Sequence, residues 1–294
     1  LTVPEGPTTL GLREAAEQLG VHYMTAYRYV RSGRLPARKA GSEWQIDPAD
    51  LATLVEAPAP RRGRSGTPRA VHRDRLEHRL IAGDEPGSWG VVDAALASGA
   101  DPADVLTDML APALRSIGQR WADGELTIAD EHRASAVAQR IIARMGPRFA
   151  RPGRRRGTVV LGSVAGDRHS LPTAILGDLL RGAGLEVVDL GADCPAETFL
   201  DAVRWADEPA AVGICVTAPE AVEAVPAVIA SLRSHGVHCP VVVGGGAIVD
   251  RDLAMRLGAD HWAGPVDEVI ALFVSLADVP ARDPGSSDVA EVDE

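Results

Sequence analysis

No apolar run in these 294 residues is long enough to span a membrane, and no basic segment followed by an apolar one opens the chain. Both absences point to a cytoplasmic protein with no membrane partner. Cysteine is scarce: Cys194, Cys215 and Cys239 are odd in number and form no CxxC pair, which excludes a disulfide framework or a cysteine-built metal knuckle and leaves buried or free thiols. Lysine is scarcer still. Lys39 is the one lysine in the chain, so no phospho-acceptor domain, which needs a lysine late in its fold, lies in the C-terminal half. There is no internal repeat.

What is present divides into parts. A chain of this length is too long for one ordinary core. Net charge is −11, but residues 1–72 hold ten Lys and Arg against seven Asp and Glu, a balance of +3 that leaves −14 for the remainder. A mildly basic head on an acidic body fits a protein whose head alone touches DNA. The stretch 57–73 (APAPRRGRSGTPRAVHR) is Pro-, Gly- and Arg-rich and reads as a linker, and the basic stretch from Pro147 to Gly157 (PRFARPGRRRG) reads as a second. The expected division is residues 1–56 as a head, 74–150 as a helical part, 151–280 as an α/β part, and 281–294 as an acidic disordered tail.

In the helical part, Leu106, Met109, Leu110, Leu114 and Ile117, then Ile128, Ala136, Ile141 and Ile142, recur at helical spacing. Gly87, Gly99 and Gly124 separate the helices, Pro112 starts or kinks one, and the sum is a four-helix bundle. From Thr158 the period changes. Short β-branched runs at Thr158–Leu161, Glu186–Leu190, Ala211–Val216 and Val241–Val243 alternate with helical stretches, giving a doubly wound parallel α/β sheet. The fold class is therefore multi-domain α and α/β.

Leu12 to Leu51 reads as a short helix, a turn at Gly20-Val21, a second helix and a hairpin wing centred on Gly41-Ser42. Ala15, Ala16, Leu19, Val21, Ala26 and Val30 are the expected interior. Tyr23, Thr25 and Arg28 are then outward candidates for phosphates or base edges, with Arg38 and Lys39 on the wing for phosphates. The run LGVxxxTxYRxxRSGRLPA resembles the winged helix-turn-helix of the excisionase and MerR-like superfamily, over roughly Thr9 to Leu51, which implies operator DNA as a partner.

Three signals in the α/β part fall on one edge of the sheet: Gly166-Asp167-Arg168-His169-Ser170-Leu171-Pro172 after the first strand, Cys215-Val216-Thr217 after the third, and Gly244-Gly245-Gly246 after the fourth. A loop imidazole can ligate a borderline metal, and a carboxylate two residues earlier can fix its tautomer. The glycines let a large flat group or a nucleotide tail approach the backbone. The third strand ends on Thr217, not the Asp of a phospho-acceptor, and GDRHSLP is a poor nucleotide loop. These motifs resemble the cobalamin-binding fold of methionine synthase and the mutases, with Pro172 where that family has Gly and Cys215 where it has Ser. The resemblance implies His169 as the lower axial ligand of cobalt, Asp167 as its partner, Arg168 beside them, and a tail slot at Cys215, Thr217, Gly244 and Gly245.

The bundle adds Trp121 followed, after nine intervening residues, by Glu131-His132, with Thr127 and Asp130 as an N-cap and its partner. Two helix ends meet there, an aromatic face beside a carboxylate and an imidazole. This W-x9-E-H arrangement resembles the cap of light-dependent repressors of the CarH/LitR type, over about Leu80 to Leu276. That resemblance implies adenosylcobalamin as cofactor, Trp121, Glu131 and His132 against the adenosyl group, and a homo-oligomer that releases its operator on illumination. Those repressors carry a His directly after the Trp; here Ala122 stands there, leaving His132 as the nearby imidazole. The expected function is a cobalamin-binding transcriptional regulator, not an enzyme. Two other readings stay open: a corrinoid methyl carrier serving a methyltransferase, and a sensor of cobalamin level without light.

Overall fold

The computed structural model describes residues 9–19, 26, 30, 35–40, 43–51, 68–153, 155–206 and 209–278. They form two compact units that divide at residues 65 and 66.

In the smaller unit, β1 (Leu10–Gly11), α1 (Leu12–Gln18), β2 (Arg38–Ala40) and β3 (Glu43–Ile46) make a three-stranded antiparallel sheet, order β1-β3-β2, beside a helix. The Gly11 N–H donates to Glu14 Oε2 at 2.8 Å and so starts α1. Ala15, Ala16, Ala26 and Val30 are buried as expected, together with Leu12, Leu35, Ile46 and Leu51, while Leu19 packs at the margin. Arg38 and Lys39 are exposed on the β2–β3 hairpin. Val21, Tyr23, Thr25, Arg28 and the Gly41-Ser42 tip lie outside the described residues.

The larger unit opens with four helical rods: α2 (Pro68–Ile81), α3 (Glu85–Ala97), a composite rod, and α6 (Ile128–Met145). The rod runs α4 (Pro102–Asp104), a π-helical turn (Val105–Leu110) and α5 (Ala111–Ala122). Pro112 brings no N–H to the ladder, and just before it the Ala111 N–H reaches back five residues to the Leu106 carbonyl. Gly99 and Gly124 occupy turns at φ +92° and +77°. Gly87 does not separate helices. It sits in the first turn of α3, where its N–H donates to the Asp84 cap at 2.9 Å, and Gly83 (φ +70°) makes the turn instead. In α6, Ile141 and Ile142 are buried as expected, together with Ala134, Val137, Ala138 and Met145, whereas Ile128 and Ala136 are exposed.

A Cβ on Gly87 would stand 2.2 Å from Asp84 Oδ2. Gly87→Ala is therefore expected to break the cap and cost about 1–2 kcal/mol, read as a lower melting temperature; an unchanged midpoint would show that the cap contributes nothing.

The α/β part is five parallel strands in the order β5-β4-β6-β7-β8: β4 (Thr158–Ser163), β5 (Glu186–Asp189), β6 (Ala211–Cys215), β7 (Val241–Gly244) and β8 (His261–Ala263). Side chains alternate faces. Val160, Val212, Ile214 and Val243 meet Phe199 and Val203 of α8 (Ala196–Ala206) and Val228 of α9 (Val225–Ser234). Val159, Leu161 and Val242 meet Leu180 of α7 (Leu171–Gly182) and Val269 and Phe273 of α11 (Val266–Ala277). The remaining helix is α10 (Arg251–Arg256). The edge strand β8 escaped sequence reading because its three residues, HWA, are too short for a period and are only half-buried.

Strand order reverses between β4 and β6, the switch point beyond which ligands bind in such sheets. The bundle and the α/β part share one apolar core: Ile142 and Met145 of α6 and Phe149 pack with Ile175 and Leu179 of α7. Phe149 is buried within a 3-10 turn, Gly146–Phe149, so the expected second linker begins as packed structure. Among the described residues, no helix is long and apolar enough to cross a membrane.

Candidate functional site

The first strand ends at Ser163, and Gly166 turns the chain at φ +86°. Asp167 then folds inward, fully buried, while the His169 side chain remains 51% exposed. Asp167 Oδ1 accepts from the His169 backbone N–H at 3.0 Å and lies 2.7 Å from its ring Nδ1. Oδ2 accepts the Thr217 and Ala218 N–H groups, at 2.5 and 3.3 Å, from beyond β6. The carboxylate therefore ties together the loops on both sides of the switch point. Burial pushes its proton affinity up, but the bonds from His169, Thr217 and Ala218 outweigh burial and hold the carboxyl below its ordinary range.

The bond to Asp167 raises the proton affinity of His169; desolvation opposes it, and the charges of Asp167, Glu131 and Glu220 add to it. With Nδ1 engaged, Nε2 is the nitrogen left to face a ligand, and a basic one. Ser163 Oγ donates to the His169 carbonyl at 2.9 Å and clamps the loop. Arg168 is exposed between the two.

Asp193, which sequence reading missed, braces this loop from the β5–α8 connection. It holds a left-handed backbone at φ 55°, accepts the Gly166 N–H on Oδ1 at 2.7 Å, and donates its own N–H to the Asp167 carbonyl at 2.8 Å. Next to it Val164 pairs with Cys194 as an isolated bridge. The signal was faint: a Gly-x-Asp after a strand marks a turn, not a partner.

A narrow slot of about 50 Å³ opens between β4, β6, β7, the start of α7 and α11. Cys215, Gly244 and Gly245 line it as expected, joined by Thr173, Gly213 and Phe273. Thr217 stands at the strand end but acts through its backbone on Asp167. Its Oγ1 lies 3.9 Å from Cys215 Sγ. Burial pushes the Cys215 thiol up to about 11, so it stays neutral at ordinary pH. Gly213, Gly244 and Gly245 form a cradle: a Cβ would meet Leu161 at 2.5 Å, Ala263 at 2.4 Å and the Val216 carbonyl oxygen at 2.4 Å respectively, and Gly245 sits at φ +107°.

On the bundle, Thr127 caps α6, accepting from the Asp130 N–H at 3.2 Å while its own N–H donates to Asp130 Oδ2 at 2.9 Å. Glu131 in that first turn is held by Ser135 Oγ (2.6 Å) and by His132 Nδ1 (2.8 Å). Trp121, one residue before the end of α5, is 45% exposed, and Ala122 and His132 are exposed too. Arg120, its neighbour, bridges Glu77 and Glu125 and fixes that helix end. The charge of Glu131 is among those that raise the proton affinity of His169. A cavity of about 430 Å³ between α6 and α7 reaches Ser170 and Leu171, the residues directly after His169.

A single imidazole suits a metal whose other ligands come with it. Among the described residues, no group of three His, Cys, Asp or Glu could hold a bare ion. A glycine cradle beside that imidazole, under a helical cap, fits a corrinoid with a nucleotide tail.

Comparison with known proteins agrees. Residues 72–145 and 157–273 each match a B12 binding domain, and residues 9–58 match a helix-turn-helix domain. The trimethylamine corrinoid protein of Methanosarcina barkeri is 28% identical over 185 residues, covering 62% of this chain and 85% of that protein. A corrinoid protein of Desulfitobacterium hafniense is 28% identical over 207 residues, covering 68% of this chain and 94% of its own length. The solved structure of the Methanosarcina barkeri monomethylamine corrinoid protein superposes with a TM-score of 0.62 at 16% identity, over 71% of this chain and 99% of that one, and shows the shared fold. The chain is a cobalamin-binding protein with a helix-turn-helix domain at its N-terminal end.

Asp193→Ala removes an acceptor and puts a Cβ-bearing residue without a local polar group in the left-handed region, a cost of about 1–2 kcal/mol. Cobalamin uptake should weaken on the order of 10-fold, since the His169 loop loses its brace. Asp193→Asn, which keeps both an acceptor and tolerance for that backbone, should restore it. Wild-type affinity and an unchanged nitrogen-ligated spectrum in the Ala variant would remove the positioning role.

Proposed function

We propose that this chain is a cytoplasmic, adenosylcobalamin-dependent transcriptional regulator whose operator binding and self-association respond to light. The observation that supports it most is the union, on one chain, of a helix-turn-helix domain with two B12 binding domains whose cap carries Trp121, Glu131 and His132. His169 would hold the cobalt through Nε2, with Asp167 fixing the tautomer. Cys215, Gly244 and Gly245 would border the nucleotide tail, and Trp121 would offer an apolar face to an adenosyl group. Glu131 and His132 supply acceptors and a donor for ribose hydroxyls. Tyr23, Thr25, Arg28, Arg38 and Lys39 are the proposed DNA contacts. When bound, adenosylcobalamin supplies a photolabile cobalt–carbon bond.

The switch rests on differential affinity. A cap seated on α7 by apolar packing has two arrangements to choose between only if the ligand contacts Trp121 and Glu131 differently before and after light. Ala122 offers no nitrogen, and His132, exposed in the first turn of α6, would be the imidazole that takes its place.

Size-exclusion chromatography in darkness and after green illumination, with adenosylcobalamin present, tests this reading. A change in oligomer size together with altered retention of operator DNA is expected. Identical elution in both states would turn the choice to a cobalamin-level sensor. A methyl-carrier role, favoured by the corrinoid proteins among the relatives, would instead show as methyl transfer to the bound corrinoid and no binding of promoter DNA.

A further inference from the structure

Between Glu131 and Asp167 the sequence holds eight arginines and no acidic residue, in a chain of net charge −11. Part of this run is neutralised. Arg133 pairs with Asp130, Arg140 with Glu85, and Arg156 with Asp278, each within 2.7 Å. Arg144, Arg148, Arg151 and Arg155 are exposed and have no ion pair among the described residues. Two of them converge: the Arg144 guanidinium stacks 3.7 Å from the centre of the Trp89 ring, and that of Arg148 lies 5.8 Å from it.

Two like charges drawn to one ring without a carboxylate between them repel, and an anion placed against both relieves that repulsion. Every charge in the run is arginine, whose planar fork matches phosphate oxygens and whose stacking on an aromatic ring leaves the fork pre-ordered. None of these four arginine side chains lines the candidate cofactor site, and none is buried. Its chemistry fits a polyanion with closely repeated charges, and duplex DNA carries a phosphate every ~3.4 Å along each strand.

We propose that the arginine-rich stretch carrying Arg144, Arg148, Arg151 and Arg155 is a second, sequence-independent contact with the DNA backbone, additional to the helix-turn-helix head. The choice of DNA over another polyanion rests on the DNA-binding reading of this chain. The stretch steers the acidic body onto DNA, where its remaining charge would otherwise repel the phosphates.

The test uses the full chain and a fluorescent duplex of arbitrary sequence, with affinity followed by anisotropy from roughly 50 to 200 mM salt. The variant replaces all four arginines by glutamine, and a companion replaces only Arg151 and Arg155, which do not touch Trp89. A head variant, Arg38→Gln with Lys39→Gln, serves as comparison. Loss of four phosphate contacts should make the slope of log affinity against log salt shallower by about 3.6, so that wild type loses roughly 150-fold more affinity across that range than the variant. The double variant should show about half the change in slope. Cobalamin uptake should match wild type in both. A wild-type slope in the body variants with a shallower one in the head variant overturns this inference and leaves the regulator reading intact. Wild type that does not bind any duplex overturns both. A wild-type slope on DNA with weakened retention on heparin would assign the stretch to another acidic partner and end the DNA assignment.

Discussion

His169→Ala is expected to lose tight cobalamin binding, by on the order of 100-fold or more, and to shift the spectrum of whatever cofactor remains away from nitrogen ligation. The reasoning starts from the loop. One imidazole nitrogen is committed to Asp167 at 2.7 Å, which leaves Nε2 to meet a metal and makes it a stronger donor. Changes to such a supporting carboxylate alone cost about 10–100-fold in metal affinity, so removal of the ligand itself should cost at least as much. Asp167→Asn keeps an acceptor for the ring and should sit within that 10–100-fold range. Asp167→Ala is different in kind: it strips partners from the Thr217 and Ala218 N–H groups and from His169 together. Each buried donor left unmade costs about 1–3 kcal/mol, so that variant should lose stability even without cofactor. Wild-type uptake by His169→Ala, with an unaltered spectrum, would end the assignment of His169 as the cobalt ligand.

The sequence made some layers of this site legible and hid others. The Asp-x-His pair was readable because both members are local: two residues of one loop, their chemistry independent of the rest of the chain. The alternation of short apolar strands with helices also disclosed the sheet, since strands buried on both faces read as continuous β-branched runs. The backbone donors of Thr217 and Ala218 were not readable, because any residue type carries an N–H. Nor was Asp193, whose value lies in a left-handed backbone and a partner 27 residues away. Gly87 was read by residue type as a turn, yet it is glycine because the Asp84 carboxylate occupies the space of a Cβ. In α6 the apolar pattern could not tell Ala136 from Val137 as the inward residue, since alanine fits either face. The capping box at Thr127 was legible and starts α6 as its pattern implied, but the pinning of the preceding helix end by Glu77 on Arg120 joins residues 43 apart in sequence.

Gly213→Ala should separate the nucleotide tail from the corrin ring. Gly213 lies in the middle of β6, where neither a turn nor a positive φ asks for glycine, and a Cβ there would stand 2.5 Å from Leu161 Cδ2 and 3.0 Å from Phe273 Cζ. The same three residues line the slot beside Cys215 and Gly244. Overpacking of this kind costs about 1–3 kcal/mol, and in a body of this size each kcal/mol lowers the melting temperature by roughly 2–4 °C. The methyl also takes volume from a slot that is narrow already, so a tail must push Leu161 and Phe273 further apart to enter. If that displacement costs about 1–3 kcal/mol, cobalamin affinity falls roughly 5- to 150-fold. Cobinamide, which has the ring but no nucleotide tail, never enters the slot, and the variant should bind it as wild type does through His169. The two ligands thus distinguish a blocked slot from a damaged fold: a damaged fold weakens both, a blocked slot only the first. Equal cobalamin affinity in variant and wild type, with the melting temperature lowered as expected, would show that the tail is received elsewhere.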